Sequence, residues 1–559
     1  MPTRTFGCVL TAVVTALMVW IQPAEGAEVK GVARSGEWLG NSTAAGDFDG
    51  DGFADLAVGA PRDVVQRETE LLPEAGAVSV VYGSANRLKV TGNQRWTQDR
   101  AGVRGVAEGR DRFGAALAAG DFDRDGYADL AIGVPYEAVT RSGERRVAAG
   151  AVNVLFGSPS GLRAAGDQLI TEDGSGIRGR AETGDTFGTA LTAGDFGLGP
   201  ASDLAIGAPG EDFVSSGERL NFAGVVHVVH GSATGLSAVG DQVWSQDSRG
   251  IRGRAEASDQ FGQVLAAANL GRGGRTDLAV GVPFESLRSD GERQQYAGAV
   301  HAIYGSRTGL DDAGDQVWTQ DTAGVGEAAY GYDQFGAALA AANFGNGPRA
   351  DLAVGMPNED FPGRRPDTFD AGVVQVVFGS GQGLRARNDQ VWSQDSPGIA
   401  EEAQSEFRPE AFGNALAAGR LDDDGVADLV VGVCEDQATE FDLVRGAVHV
   451  IRGSPTGLHA NHDQLWSQAS PGVPGAAEHG DEFACTHSSF LAATPLTAGN
   501  FGRGMTADLA VGVAGENPSD GTFVHRGDAG AFNVIYGSGG QLQGAKAQLW
   551  HQRVPGSGR

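Results

Sequence analysis

The sequence predicts an all-β fold, a seven-bladed β-propeller made of four-stranded antiparallel blades. Three observations carry this expectation. First, the tract AGAVSVVYGS recurs as AGAVNVLFGS, AGVVHVVHGS, AGAVHAIYGS, AGVVQVVFGS, RGAVHVIRGS and AGAFNVIYGS. Its glycine falls at 83, 157, 231, 305, 379, 453 and 537, a period of 74 held over six copies before a longer last step. Second, every copy holds four short apolar runs rich in Val, Ile and aromatics, separated by Gly, Pro and Asp clusters, which is the pattern of strands and turns. Third, 88 of 559 residues are Gly, well above the usual ~7%, as expected of a chain full of tight turns rather than helices.

The elements follow in chain order. Residues 1–27 read as a secretory signal peptide: Arg4, an apolar run from Val9 to Ile21, then small residues at Ala24, Gly26 and Ala27. That run is shorter than the ~20 residues that span a bilayer, so no membrane span is expected, and the remaining residues 28–559 form the propeller. Within a repeat, such as the second, the first strand is FGAALAAGDF, small enough for the crowded inner end of a wedge. ADLAIGVP follows, then GAVNVLFG, then a bulkier run around Leu169. In six copies that last run carries a tryptophan, at 96, 244, 318, 392, 466 and 550, with Ile170 in the remaining one. The C-terminus supplies the last tryptophan strand, so the final blade is completed there and blade packing is expected to hold the seam. Radial repetition leaves few exposed strand edges.

The formal charge is −29, the wrong sign for a sequence-independent nucleic-acid binder. The predicted mature chain keeps two cysteines, Cys434 and Cys485. An oxidising compartment favours pairing them, and two separate buried thiols are the alternative.

FG followed eight residues later by DxDxDGxxDLAxGxP, as in Phe113-Gly114 and DFDRDGYADLAIGVP (121–135), identifies the FG-GAP repeat. The chain resembles the propeller at the N-terminus of integrin α subunits and secreted bacterial FG-GAP proteins. Asp47, Asp49, Asp51 and Asp55 occupy positions 1, 3, 5 and 9 of the first loop, with the Phe53 carbonyl between them. Asp121, Asp123, Asp125, the Tyr127 carbonyl and Asp129 repeat the pattern. Four carboxylates with a glycine at the turn suit Ca2+, and the resemblance implies calcium here, residue by residue. Loops three, four, five and seven lack the middle carboxylates and are expected to be metal-free. The sixth keeps Asp422, Asp424 and Asp428 but has Arg420 in the first position. It stays open between a third calcium ion and neutralisation by that guanidinium.

Two further acidic sets recur. Glu37, Asp111, Asp185, Asp259, Asp333, Glu410 and Asp481 precede the FG position; Asp63, Glu137, Glu211, Glu285, Glu359, Asp436 and Glu516 follow GxP. Both fall on the face opposite the calcium loops, which the resemblance equates with the ligand-binding face of integrins. They read either as an attractive surface for a basic partner or a cation, or as carboxylates that each cap a turn. A polar position in the third strand reads Ser79, Asn153, His227, His301, Gln375, His449 and Asn533 and is expected to serve contacts between blades. Arg526-Gly527-Asp528 is read as a chance tripeptide. No nucleophile elbow, zinc-helix or phosphate-loop motif occurs. The expected function is a secreted, monomeric, calcium-binding module that recognises an extracellular protein or glycan and is not an enzyme. The alternative is a secreted hydrolase or lyase that attacks polysaccharide through the acidic face.

Overall fold

The computed structural model describes Ala27 to Arg553, apart from 361–370, 401–409, 435–445, 486–493, 518–528 and a few single positions. The residues of the predicted signal peptide before Ala27, Asp436 and the tripeptide Arg526-Gly527-Asp528 lie outside the described residues. Seven antiparallel blades follow one another in sequence order. The third shows the pattern, with strands Ala190–Gly194, Asp203–Ala208, Val225–Ser232 and Gly235–Trp244 pairing in succession. The first strands line the axis and touch one another in a closed ring: Ser42–Gly46 meets Leu117–Gly120 on one side and Leu496–Gly499 on the other. Their Ala, Thr and Gly residues fit that crowded position.

The apolar core lies between blades. Val78, Val80 and Trp96 of the first blade pack against Phe113, Leu130 and Ile132 of the second, and this contact recurs around the ring. It also explains the FG and GxP tracts. The FG glycines Gly114, Gly188 and Gly262 have φ near +90° (+90°, +93°, +90°), and their carbonyl oxygens would lie 2.1 Å from a Cβ on Gly59, Gly133 and Gly207 of the preceding blade. The first glycine of each pair needs the left-handed backbone and the second needs to have no side chain.

Antiparallel alternation puts the loops between first and second strands on one face, and those between second and third strands on the other. On this second face four hairpins stand up among the described residues: Val65–Arg67 with Glu70–Leu72, Val139–Arg141 with Glu144–Arg146, Phe213–Ser215 with Glu218–Leu220, and Leu287–Ser289 with Glu292–Gln294.

The seam is built differently from the sequence expectation. Beyond blade packing, Ala27–Val32 adds a fifth strand, parallel to Leu542–Arg553, at the outer edge of the last blade. Val29 is buried, the Asn93 amide donates to the Glu28 carbonyl at 3.1 Å, and Lys30 N donates back to Asn93 Oδ1 at 3.3 Å. The strand thus covers an edge and ties it to the first blade. Cys434 and Cys485 are bonded to each other, with Cα atoms 5.2 Å apart. They join the end of the second strand of blade six to the approach to blade seven.

Candidate functional site

In loops one and two the glycine turns wrap carboxylates around a common point. Asp47, Asp49 and Asp55 each bring an oxygen within 4.8 Å of the others, and Asp121, Asp123 and Asp129 do the same. Gly52 and Gly126, at φ +88° and +92°, let the loop reverse. Gly50 N donates to Asp47 Oδ1 at 2.7 Å, which sets the carboxylate inward. In the second loop Asp121 Oδ1 is buried without a hydrogen-bond partner. An all-oxygen set with an orphaned buried carboxylate oxygen fits a hard divalent cation. The fifth-position carboxylates belong to the same loops: Lys89 Nζ lies 3.0 Å from Asp51 and 3.3 Å from Asp49, and Arg163 lies 3.7 Å from Asp125 and 3.8 Å from Asp123. Burial pushes the Asp55 carboxyl up to about 8, with Asp49 and Asp47 adding to the shift against the amides of Gly83 and Phe48, and pushes Asp129 up to about 7.

The ninth-position aspartate is a scaffold in all seven copies. One oxygen of Asp55 accepts from Phe48 N at 2.7 Å and the other from Gly83 N at 2.8 Å, bracing the loop against the end of the third strand. Asp203 and Asp351 repeat this bracket in loops that lack the middle carboxylates.

Those other loops fill the space by other means. In loop three the Arg275 guanidinium from the next blade bonds Asp195 and donates to the position-five carbonyl of Gly199 at 2.9 Å. In loops four, five and seven the position-one amides of Asn269, Asn343 and Asn500 donate to the carbonyls of Gly273, Gly347 and Gly504 at 3.3, 3.0 and 3.1 Å. In loop six the guanidinium comes from Arg452, 3.3 Å from Asp422 and 3.5 Å from Asp428, rather than from Arg420. The signal was present in the sequence, since Arg452 replaces the aromatic of the VVYGS-type tract. Asp424 donates its backbone N–H to Asp422 and accepts from Val426 N, closing the turn.

The two acidic sets on the opposite face are sunk beneath it. Asp111, Asp259 and Asp333 accept backbone N–H groups three residues upstream, at 2.5 Å from Glu256 and 2.6 Å from Tyr330 in the latter two. In the second set a glutamine from the preceding repeat donates to four of the carboxylates: Gln98 to Glu137 at 2.7 Å, Gln246 to Glu285 and Gln320 to Glu359 at 2.5 Å, Gln468 to Glu516. Gln552 closes the ring on Asp63 at 2.9 Å, with Arg95 at 2.8 Å. Burial raises Glu137 and Glu516 to about 7 and, with Asp259 nearby, raises Glu285 further. The Gln ring was not anticipated, although the QRWTQD tract displays it. Its one departure is Glu172, which faces Glu211.

The polar position of the third strand serves several contacts. Asn153 and Asn533 donate to the Arg104 and Pro474 carbonyls in the approaches to their own blades, at 2.8 and 2.9 Å. Gln375 and His449 instead meet Asp389 and Asp463 of their own blades.

The FG-GAP repeat model matches residues 39–81 and 113–155, the stretches that contain the two complete carboxylate loops. The chain is an FG-GAP repeat protein with an integrin-like propeller. Among similar proteins, Integrin alpha-PS2 of Drosophila melanogaster is 36% identical over 32% of this chain, and human Integrin alpha-IIb is 32% identical over 32%. A phosphatidylinositol-glycan-specific phospholipase D of Bos taurus is 31% identical over 31%. The matched parts of this FG-GAP propeller cover 12%, 15% and 19% of those three proteins, respectively. A solved rhamnogalacturonan lyase of Bacillus licheniformis aligns over 95% of this chain and 76% of its own at a TM-score of 0.35 and 10% identity, a likeness that bears on neither substrate nor activity. No helix among the described residues is long and apolar enough to cross a membrane.

Proposed function

We propose that this FG-GAP propeller is a secreted adhesion or recognition module, held together in part by calcium at loops one and two, that binds an extracellular protein or glycan without converting it. Asp47, Asp49, Asp51, Asp55 and the Phe53 carbonyl would hold one ion; Asp121, Asp123, Asp125, Asp129 and the Tyr127 carbonyl would hold the other. Each ion supplies charge compensation and rigidity, not chemistry. The observation that carries the reading is the contrast between the faces. Opposite the carboxylate loops stand, among the described residues, four hairpins, three with a shared Gly-Glu-Arg tip but differing flanks, with Leu71, Val214, Phe222 and Tyr332 exposed on or beside them, while the recurring carboxylates of that face are largely buried and bonded. Sequence variation on a rigid frame is where specificity is written, and in integrins, which the chain resembles, this face meets the ligand.

The test is an array of glycans and extracellular proteins probed with the mature chain, with and without calcium. Binding should weaken at least tenfold in Val214→Ser or Tyr332→Ala and leave the Tm unchanged. Release of oligosaccharide products from a polysaccharide panel, lost in Glu137→Gln or Glu285→Gln, would instead establish the hydrolase or lyase reading.

A further inference from the structure

Sevenfold repetition makes departures from the pattern informative. Six copies place glutamine two residues after the tryptophan position, at 98, 246, 320, 394, 468 and 552, and the remaining copy places Glu172 there. Gln98, Gln246, Gln320 and Gln468 donate to a carboxylate of the next blade. Glu172 has nothing to donate once ionised, yet it occupies the same position against Glu211. As a result Glu172, Asp185 and Glu211 bring one oxygen each within 4.8 Å of one another between the second and third blades.

Four observations distinguish this cluster from an ordinary acidic surface. Glu172 is 3% exposed, and neither of its oxygens accepts a hydrogen bond. His227, 1% exposed, aims Nε2 at Glu172 Oε1 from 2.8 Å, and neither ring nitrogen makes a hydrogen bond. Arg145 offsets the equivalent acids Asp111 and Glu137, and Arg293 offsets Asp259 and Glu285, whereas their counterpart Arg219 is shared between Asp212 and Glu182, at 3.1 and 3.2 Å. The Asp185 and Glu211 carboxyls are driven far above the usual range, first by burial and then by the neighbouring Glu172. Finally, a cavity of about 380 Å3 lined by Gly184, Thr186, Pro209 and Gly210, the chain neighbours of Asp185 and Glu211, lies beside the cluster.

Three largely buried carboxyls that share a single imidazole, 2.8 Å from Glu172, and make few hydrogen bonds are a donor set that a cation would complete. We propose that Glu172, Asp185 and Glu211, with His227 at the edge, form a divalent-cation site separate from the FG-GAP loops. Imidazole beside carboxylates favours Zn2+ or Mn2+ over Ca2+. A dication here would also lock blade two to blade three, since Glu172 comes from the first and the other donors from the second.

The test uses the full mature chain, stripped with chelator, then given excess Ca2+ and a small excess of Zn2+ or Mn2+. Total bound metal is measured by plasma mass spectrometry, and the manganese environment by paramagnetic resonance. Glu172→Gln installs the residue of the other repeats, so it should fold. It should bind one metal equivalent fewer than the wild type, and Glu211→Gln should do the same. His227→Asn, the residue of blades two and seven at that position, should weaken Zn2+ binding ~10-fold or more. Equal metal content in wild type and Glu172→Gln would overturn the site. So would a rise in the Tm of Glu172→Gln with no metal lost, which would mean that the carboxyls share protons instead.

Discussion

Loops two and three are neighbours with the same frame and opposite solutions to one problem. Both brace their ninth-position aspartate, Asp129 or Asp203, on backbone amides at the start of the loop and at the end of the third strand, with Gly197 N as a third donor to Asp203. Loop two then surrounds its centre with the carboxylates of Asp121, Asp123 and Asp129. Loop three spans the same gap with the Arg275 guanidinium, which joins Asp195 to the Gly199 carbonyl. The frame is therefore independent of metal, and only the filling differs. An arginine or an asparagine amide bridges position one to the far side of the turn, the place the proposed cation would take in loops one and two. A repeat without the middle carboxylates keeps its blade.

The sharpest way to break the comparison is to remove the shared part. Asp129→Ala strands two backbone donors and Asp203→Ala strands three, and bonds to a charged acceptor are worth enough that each variant should lose about 3 kcal/mol or more. Denaturant unfolding should show the Asp203→Ala loss to be the same in chelator and in calcium. The Asp129→Ala loss should be larger in calcium, because that variant also forfeits the ion. Equal losses in both conditions for both variants would remove loop two from the metal-binding class.

Withdrawing the ion is the next largest perturbation. A ligand present at a hundredfold its Kd stabilises by about 3 kcal/mol per site, so chelator should lower the Tm of the wild type and leave Asp49→Asn combined with Asp123→Asn unaffected. The effect has a definite pH sign. Unfolded aspartates titrate near 4, roughly, whereas folded Asp55 and Asp129 are pushed up to about 8 and about 7. Without calcium the folded chain holds the extra protons. Its stability from these groups is fully present below about 4 and is lost as the pH climbs through 7 to 8. Calcium binds the ionised form, so its stabilisation should be larger at pH 8 than at pH 5. A calcium effect that shrank as the pH rose would contradict the assignment.

The two carboxylate loops were legible in the sequence because their donors lie within nine consecutive residues, where spacing alone fixes the geometry. The blades were legible because seven copies agree. What escaped was whatever one repeat lends another. Arg275 fills a loop 80 residues upstream, and the glutamine ring joins consecutive blades through pairs 39 residues apart, such as Gln98 and Glu137. The strand Ala27–Val32 belongs to no repeat and so had no copy to reveal it. Arg452 and Glu172 were visible as departures from an aromatic and a glutamine column, but their meaning depends on which side chains the fold sets opposite them.

Arg452 gives the smallest and most discriminating test. Its Nη2 already donates to Gln464 Oε1 at 2.9 Å, the place taken in blade one by the Tyr82 hydroxyl on Gln94 at 2.8 Å. Arg452→Tyr should therefore keep the aromatic-site contact and delete only the charge beside Asp422 and Asp428. In chelator the variant should lose about 1 kcal/mol, in line with one partly buried charged hydrogen bond. If the guanidinium is what stands in for a cation, the freed Asp422, Asp424 and Asp428 should now bind Ca2+ and recover that loss, read as a Tm shift absent from the wild-type sixth loop and as an added calcium equivalent by titration calorimetry. A variant that loses stability and gains no calcium would show that Arg420, in place of the first carboxylate, disables the loop by itself.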